Sequence, residues 1–306
     1  MASFSSILCS IDFSSHSRHA LHLAMALAGR GDGSLRVVHV VDVLLAQAAA
    51  ITYDVARLQS DAAAELRRFV EAERPAVARW VDPIVEVRIG HPHHEILEAA
   101  AGHGADLVVM GTHGLGGFRK LFFGSVTERV LRATRVPLLA VPIDERHRAS
   151  PEAARFGAVL AAIELDRSAM GMAAAAVGVA RAFDAPLTLL HVVRPIQAAG
   201  AWTSSFGEEL PRRMEHARVE LERIAESVEP AKPPRTIVRN GAAAETIADA
   251  ALEHPHTLVA MGLGGSGVLH RPGSTAYRVL CLSTVPVIAL PIEPVVAGAS
   301  SIGARL

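Results

Sequence analysis

Cysteine is nearly missing from this chain: Cys9 and Cys281 are the only two among 306 residues. Two thiols so far apart build neither a disulfide framework nor a metal knot, and both are expected to be buried and reduced. Long apolar runs are missing as well. No stretch of about 20 residues is apolar and uncharged enough to span a bilayer; the nearest, the alanine-rich run 168–182, is too short and too small-sided. The opening MASFSSILCSIDFSS has no basic segment and meets Asp12 after one short apolar run, unlike a signal peptide. A cytoplasmic protein with no membrane partner is therefore expected. Nor is there an excess of one charge. The formal net charge is -1, so no bulk basic field argues for a nucleic-acid partner. Lysine is confined to Lys120 and Lys232, and the other cations are arginines.

Several catalytic signatures are also lacking. No glycine-lysine-serine or glycine-lysine-threonine run marks a Walker-type phosphate loop, and no carboxylate pair for Mg²⁺ stands beside the glycines, so efficient phosphoryl transfer has no visible machinery. Ser125 lacks the G-x-S-x-G surroundings of a nucleophile elbow. No catalytic residue is expected, although slow hydrolysis stays open. His91-Pro-His-His94 invites a metal reading, but Glu95 alone does not complete a zinc ligand set, and a solvated helix start is the expectation.

What is present is one pattern written twice. Ile7-Leu-Cys-Ser-Ile-Asp12 parallels Val159-Leu-Ala-Ala-Ile-Glu164, and Val38-His-Val-Val41 parallels Leu190-His-Val-Val193, both at an offset of 152. Leu107-Val-Val-Met-Gly111 parallels Leu258-Val-Ala-Met-Gly262 at 151, and Val136–Pro142 parallels Val285–Pro291 at 149. The reading places one domain at 1–146, a second at 153–294 and a frayed tail at 295–306, joined by a polar linker over 144–155.

Within the first copy, short apolar runs predict strands near 5–11, 35–41, 84–89, 105–110 and 136–141. Amphipathic runs predict helices near 15–29, 55–73, 92–103 and 125–134. Such alternation implies an α/β fold: two tandem, doubly wound, parallel five-stranded sheets with helices on both faces. Ligands of such sheets bind beyond the strands' carboxyl ends, where strand order reverses.

Residues 111–125, GTHGLGGFRKLFFGS, sit at such an end. They join an apolar run to an amphipathic one, where unpaired helix N–H groups and the helix dipole favour an anion. Gly124 lets backbone approach a phosphate, Ser125 can cap or donate, and Arg119 or Lys120 stands where it can screen phosphate charge. His113 faces either nucleotide or solvent. A plain connecting turn is the alternative. Asp12 closes the first strand and can flank the same crevice or simply cap the next helix, though Ser14 and Ser15 also suit that task. His39 and His191, in apolar strands, are expected to be hydrogen-bonded core histidines.

Asp12-Phe-Ser, His39-Val-Val and the glycine-x-x-glycine, nine residues, glycine-serine motif together resemble the universal stress protein family over nearly the whole chain. The resemblance implies Rossmann-like, adenine nucleotide alpha hydrolase-like sheets with strand order 3-2-1-4-5. It also implies ATP, with or without Mg²⁺, as ligand of the first copy. Asp12 would meet the adenine or sugar and Val40 the base. Gly111, Thr112, His113 and Gly114 would pass along ribose and phosphates, and Gly124, Ser125 and the Val126 amide would hold the phosphate chain. Dimerisation through the final strand is a further implication, here met internally by 136–141 and 285–290 as a pseudo-dimer, with a further homodimer and an unidentified protein partner left open.

The second copy departs from the pattern. Glu164 replaces Asp12, and seven residues instead of nine separate Gly265 from Gly273. Its site, comprising Glu164, Val192, Gly262, Gly265, Gly273 and Ser274, is expected to be weak or empty. Gly262-Leu-Gly-Gly-Ser-Gly267 also fits the dinucleotide fingerprint, but no acidic residue follows at the required distance, where Leu282-Ser-Thr stands.

Overall fold

The computed structural model describes residues 4–30, 33–50, 54–74, 80–112, 124–143, 155–195, 209–229, 231–263 and 274–292. The first half runs β1 (Ser6–Ile11), α1 (Ser15–Ala28), β2 (Ser34–Asp42), α2 (Val43–Ala50), α3 (Val55–Ala72), β3 (Ile84–Gly90), α4 (Pro92–Gly102), β4 (Leu107–Gly111), α5 (Ser125–Ala133) and β5 (Leu138–Val141). The second runs β6 (Ala158–Ala162), α6 (Ala169–Phe183), β7 (Leu187–Val193), α7 (Glu209–Val228), β8 (Arg235–Asn240), α8 (Ala243–Ala251), β9 (Thr257–Gly262), α9 (Ser274–Leu282) and β10 (Val287–Leu290). Most of the linker and the whole tail lie outside the described residues.

Local chemistry sets the helix starts. The Ser14 hydroxyl accepts the Ser17 N–H at 3.1 Å to open α1, the Asp54 carboxylate accepts the Ala56 N–H at 3.0 Å to open α3, and Pro92 occupies the first turn of α4, where its missing N–H costs nothing. Helix α2 was not expected. Its sequence, VLLAQAAA, carries little polar periodicity, and the signal that starts it is the Asp42 carboxylate accepting the Leu44 N–H at 2.8 Å.

Each half has the strand order expected, β3-β2-β1-β4-β5 and β8-β7-β6-β9-β10, with parallel neighbours throughout. The two sheets do not stay separate. β5 and β10 pair antiparallel, with Leu139 opposite Ile288, and make one ten-stranded sheet.

Alternation along each strand feeds two apolar layers. In β1, Ile7, Cys9 and Ile11 face the α1, α3, α6 and α7 side, while Leu8 faces the α4, α5, α8 and α9 side. Each layer continues across the β5–β10 seam: Leu139 and Ile288 share one, Leu138, Ala140, Val287 and Ala289 the other. Cys9 is fully buried, and burial alone pushes its thiol far above the usual range. Cys281 is half-buried, and neither cysteine is in a disulfide. No described helix is long and apolar enough to cross a membrane.

Candidate functional site

In the first half, β1 pairs with β2 on one side and β4 on the other, so strand order reverses at β1. Asp12, at its carboxyl end, accepts the Ser14 N–H through Oδ1 at 3.0 Å. Ser14, not Asp12, caps α1. The second Asp12 oxygen has no hydrogen-bond partner among the described residues, and the side chain is half-buried at the crevice. Between the two, Phe13 adopts φ 64°, a left-handed conformation that costs a residue with a Cβ about 1–3 kcal/mol. Its ring is held in return by His39, at 4.6 Å between centroids, and Phe69, edge-on at 5.4 Å.

His39 reaches over from β2 and its Nδ1–H donates to the Ile11 carbonyl at 2.8 Å. In the second half His191 makes the same bond to Ile163 at 2.8 Å. Because a carbonyl only accepts, both Nδ1 atoms carry the proton. Both are hydrogen-bonded as their strands implied, but half-buried rather than in the core. Val40, the next residue, is half-buried against the α4–α5 layer.

Gly111 ends β4, and its glycine has a packing cause: a Cβ there would lie 2.8 Å from the carbonyl carbon and Cβ of His16 in the first turn of α1. The chain then enters the glycine loop through buried Thr112, whose N–H donates to the Val141 carbonyl at 3.1 Å. It leaves at Gly124, whose N–H donates to the Thr112 carbonyl at 2.7 Å. Thr127 Oγ1 donates to the Gly111 carbonyl at 2.9 Å, so the stem of the loop is tied three times. His113, Gly114, Arg119 and Lys120 lie outside the described residues.

Gly124 precedes α5 without any side-chain cap, and Ser125 begins the helix exposed, followed by half-buried Val126. The N–H groups of Ser125, Val126 and Thr127 have no acceptor within the helix, and the peptide dipoles add partial positive charge there. Asp12 thus stands at the end of β1, and an uncapped helix start follows the end of β4, the neighbouring strand. Chemically, such a pair offers an acceptor for a hydroxyl or amine at one end and donors for an anion at the other.

The histidines of α4 are arranged differently. His91 stands at the N-cap without a side-chain bond, and His94 lies 3.7 Å from Glu95. Burial, then the nearby Arg129, His91 and His94, hold His93 below the usual imidazole range. Among the described residues no three histidine, cysteine or carboxylate side chains gather for a metal.

The second copy keeps the outline of the first site, including the stem bond from the Leu263 N–H to the Leu290 carbonyl at 2.8 Å, and lacks the Thr127 side-chain tie. Glu164 is exposed, Val192 half-buried, and Gly262 ends β9, where a Cβ would meet Ile292 and Met172 only at ordinary contact distances of 3.4 and 3.5 Å. Leu263 stands where the first copy has Thr112, and Ala276 where it has Thr127. Gly265 and Gly273 lie outside the described residues, and Ser274 begins α9. These threonine replacements were readable from the offset between the copies. The role of His16 was not, since only folding brings it against Gly111.

The sequence pattern of the "Universal stress protein family" matches residues 3–142 and again 155–291. The chain belongs to that family. A universal stress protein of Thermus aquaticus, "Universal stress protein in QAH/OAS sulfhydrylase 3'region", is 33% identical over 140 residues, covering 98% of that protein and 45% of this chain. "Universal stress protein YxiE" of Bacillus subtilis is 27% identical over 146 residues, covering 99% of that protein and 45% of this chain. Both relatives therefore have about the length of one copy. A universal stress protein structure from Archaeoglobus fulgidus matches nearly end to end, covering 95% of this chain and 98% of the other with a TM-score of 0.64 and 22% identity, which shows that this tandem universal stress protein shares its fold.

Proposed function

We propose that this universal stress protein binds ATP in its first domain and acts as a nucleotide-dependent regulatory protein of the stress response, in the cytoplasm. The observation that carries the reading is the pairing of an Asp12 oxygen that has no partner among the described residues with the start of α5, which has no side-chain cap, across β1 and β4. Asp12 and Val40 receive the adenine and sugar. Gly111, Thr112, His113 and Gly114 line the ribose and phosphates. Gly124, Ser125 and the Val126 amide take the phosphate chain, with Arg119 or Lys120 screening its charge. Mg²⁺ accompanying ATP would supply charge neutralisation at the phosphates. The domains are residues 1–146 and 153–294, and the β5–β10 pairing supports an internal pseudo-dimer. The second crevice, with Glu164, Val192, Gly262, Gly265, Gly273 and Ser274, is weak or empty, and the loss of the Thr127 hydroxyl, where Ala276 stands, supports that.

Turnover is not its main task in this reading: Glu128, the acidic residue in the first turn of α5, is engaged by Arg132 at 2.6 Å. Release of product faster than about 1 per second would support an enzyme instead. The reading is tested by denaturing gently purified protein and identifying the small molecules released. Adenine nucleotide is expected. Protein that carries none, and takes none up, would support a nucleotide-free interaction scaffold.

A further inference from the structure

Three positions frame the proposed nucleotide crevice of the first domain: the end of β1 at Asp12, the end of β2 at Val40, and the start of α5 at Ser125 and Val126. Repeat equivalence carries them to Glu164, Val192 and the pair Ser274–Thr275. Two residues beyond Val40 the first domain has Asp42, whose carboxylate stays local on the Leu44 N–H at 2.8 Å. The matching residue of the second domain is Arg194, a reversal of charge and a much longer side chain. Its Nη2 donates to Thr275 Oγ1 at 2.9 Å in the first turn of α9. Its carbonyl is held by Arg213 of α7, whose Nη1 donates to it at 3.0 Å. In the sheet, β6 lies between β7 and β9. A side chain joining the end of β7 to the helix after β9 therefore crosses the end of β6, the counterpart of the crevice proposed at the end of β1 in the first domain. Thr275 replaces Val126, so the acceptor for this bond exists only in the second copy.

We infer that Arg194 is an internal strap that closes the second crevice to nucleotide. This rests on the crevice assignment made for the first domain. The strap excludes nucleotide by occupying its path, while the changed loop and Glu164 only weaken contacts around it. Arg194 is exposed, so its replacement by alanine leaves the core intact.

Titration with ATP in a Gly124→Val background, where the first crevice is blocked, isolates the second. The Gly124→Val chain is expected to bind none, and Gly124→Val with Arg194→Ala to regain one ATP per chain. The double variant staying empty while unsubstituted protein binds ATP overturns the strap. So does binding by Gly124→Val alone that Arg194→Ala abolishes, since Arg194 would then be a phosphate receptor. A second readout needs no nucleotide: maleimide labelling of a Val192→Cys probe, with Cys281 replaced by serine. Arg194→Ala is expected to speed labelling several-fold, and an unchanged rate overturns the proposal. Faster labelling in a protein that binds no ATP anywhere would instead contradict the nucleotide assignment and leave the strap standing.

Discussion

Gly111 and Gly262 occupy the same place in the two copies, yet only one of them is forced. At Gly111 a Cβ meets the backbone of His16 at 2.8 Å, and neither the end of β4 nor the first turn of α1 can give way without moving the other. Gly111→Ala is expected to destabilise the protein by about 1–3 kcal/mol, the usual cost of overpacking. Gly262→Ala, with neighbours at 3.4 Å or more, should stay within about 0.5 kcal/mol. Urea denaturation of both variants checks the contrast, and equal costs would remove the packing cause. A sequence comparison shows two glycines and cannot tell them apart, because the distinguishing atom comes from a helix nearly a hundred residues away. Glu86 makes a second residue-scale case. It accepts from Arg36 at 3.1 Å, Arg88 at 2.6 Å and His103 at 2.9 Å. Burial pushes its carboxyl up, but bonding to and charge from Arg88, then His103, outweigh that and hold it below its ordinary value of 4.5. A folded value below the unfolded one contributes stability above pH 4.5 that is lost as pH falls through the folded value. Glu86→Gln is therefore expected to cost about 1 kcal/mol near neutrality and progressively less below pH 4.5. A cost independent of pH, read from denaturation at several pH values, would contradict the assignment.

At the scale of elements, the sequence located every strand and helix of the first half except α2, with ends displaced by no more than two residues. Period-two and helical patterning carried those assignments, since each long element buries one face against the sheet. Helix α2 escaped because it buries almost nothing: Leu44 and Leu45 are 72% and 60% exposed, and the carboxylate that starts it belongs to the preceding strand. The loop stem shows the same division. Its glycines and serine were legible as a spacing, whereas the bond from Thr127 to the Gly111 carbonyl needed the helix to be placed over the strand end. Thr127→Val keeps the shape and removes the donor. It is expected to cost about 1–3 kcal/mol by leaving a part-buried carbonyl unpaired, and to weaken ATP binding by loosening the start of α5. Calorimetric titration beside thermal unfolding separates the two effects, and unchanged affinity would show that the stem does not position the anion end.

For the whole molecule, tandem duplication was readable from the constant offset, whereas the meeting of the two final strands was implied only by the family resemblance, because nothing in either copy's own pattern names its neighbour. The seam is only a few residues long, with Leu138, Leu139 and Ala140 opposite Ala289, Ile288 and Val287, yet both apolar layers run through it. A chain of residues 1–146 alone would present β5 as an open apolar edge and is expected to self-associate. Light scattering of that fragment checks this, and a stable monomer would mean that the seam is dispensable. The asymmetry of the molecule follows from the same duplication: the Thr127 hydroxyl ties the loop stem of the first copy to the Gly111 carbonyl, while the second has Ala276 in that place and an Arg194 side chain that donates to Thr275. The measurement that tests this account most directly is calorimetric titration of the intact chain with ATP, alongside Gly124→Val. One ATP per chain, lost in Gly124→Val while the thermal unfolding profile is kept, is the predicted result. Two sites of equal affinity, or binding that survives Gly124→Val unchanged, would contradict it.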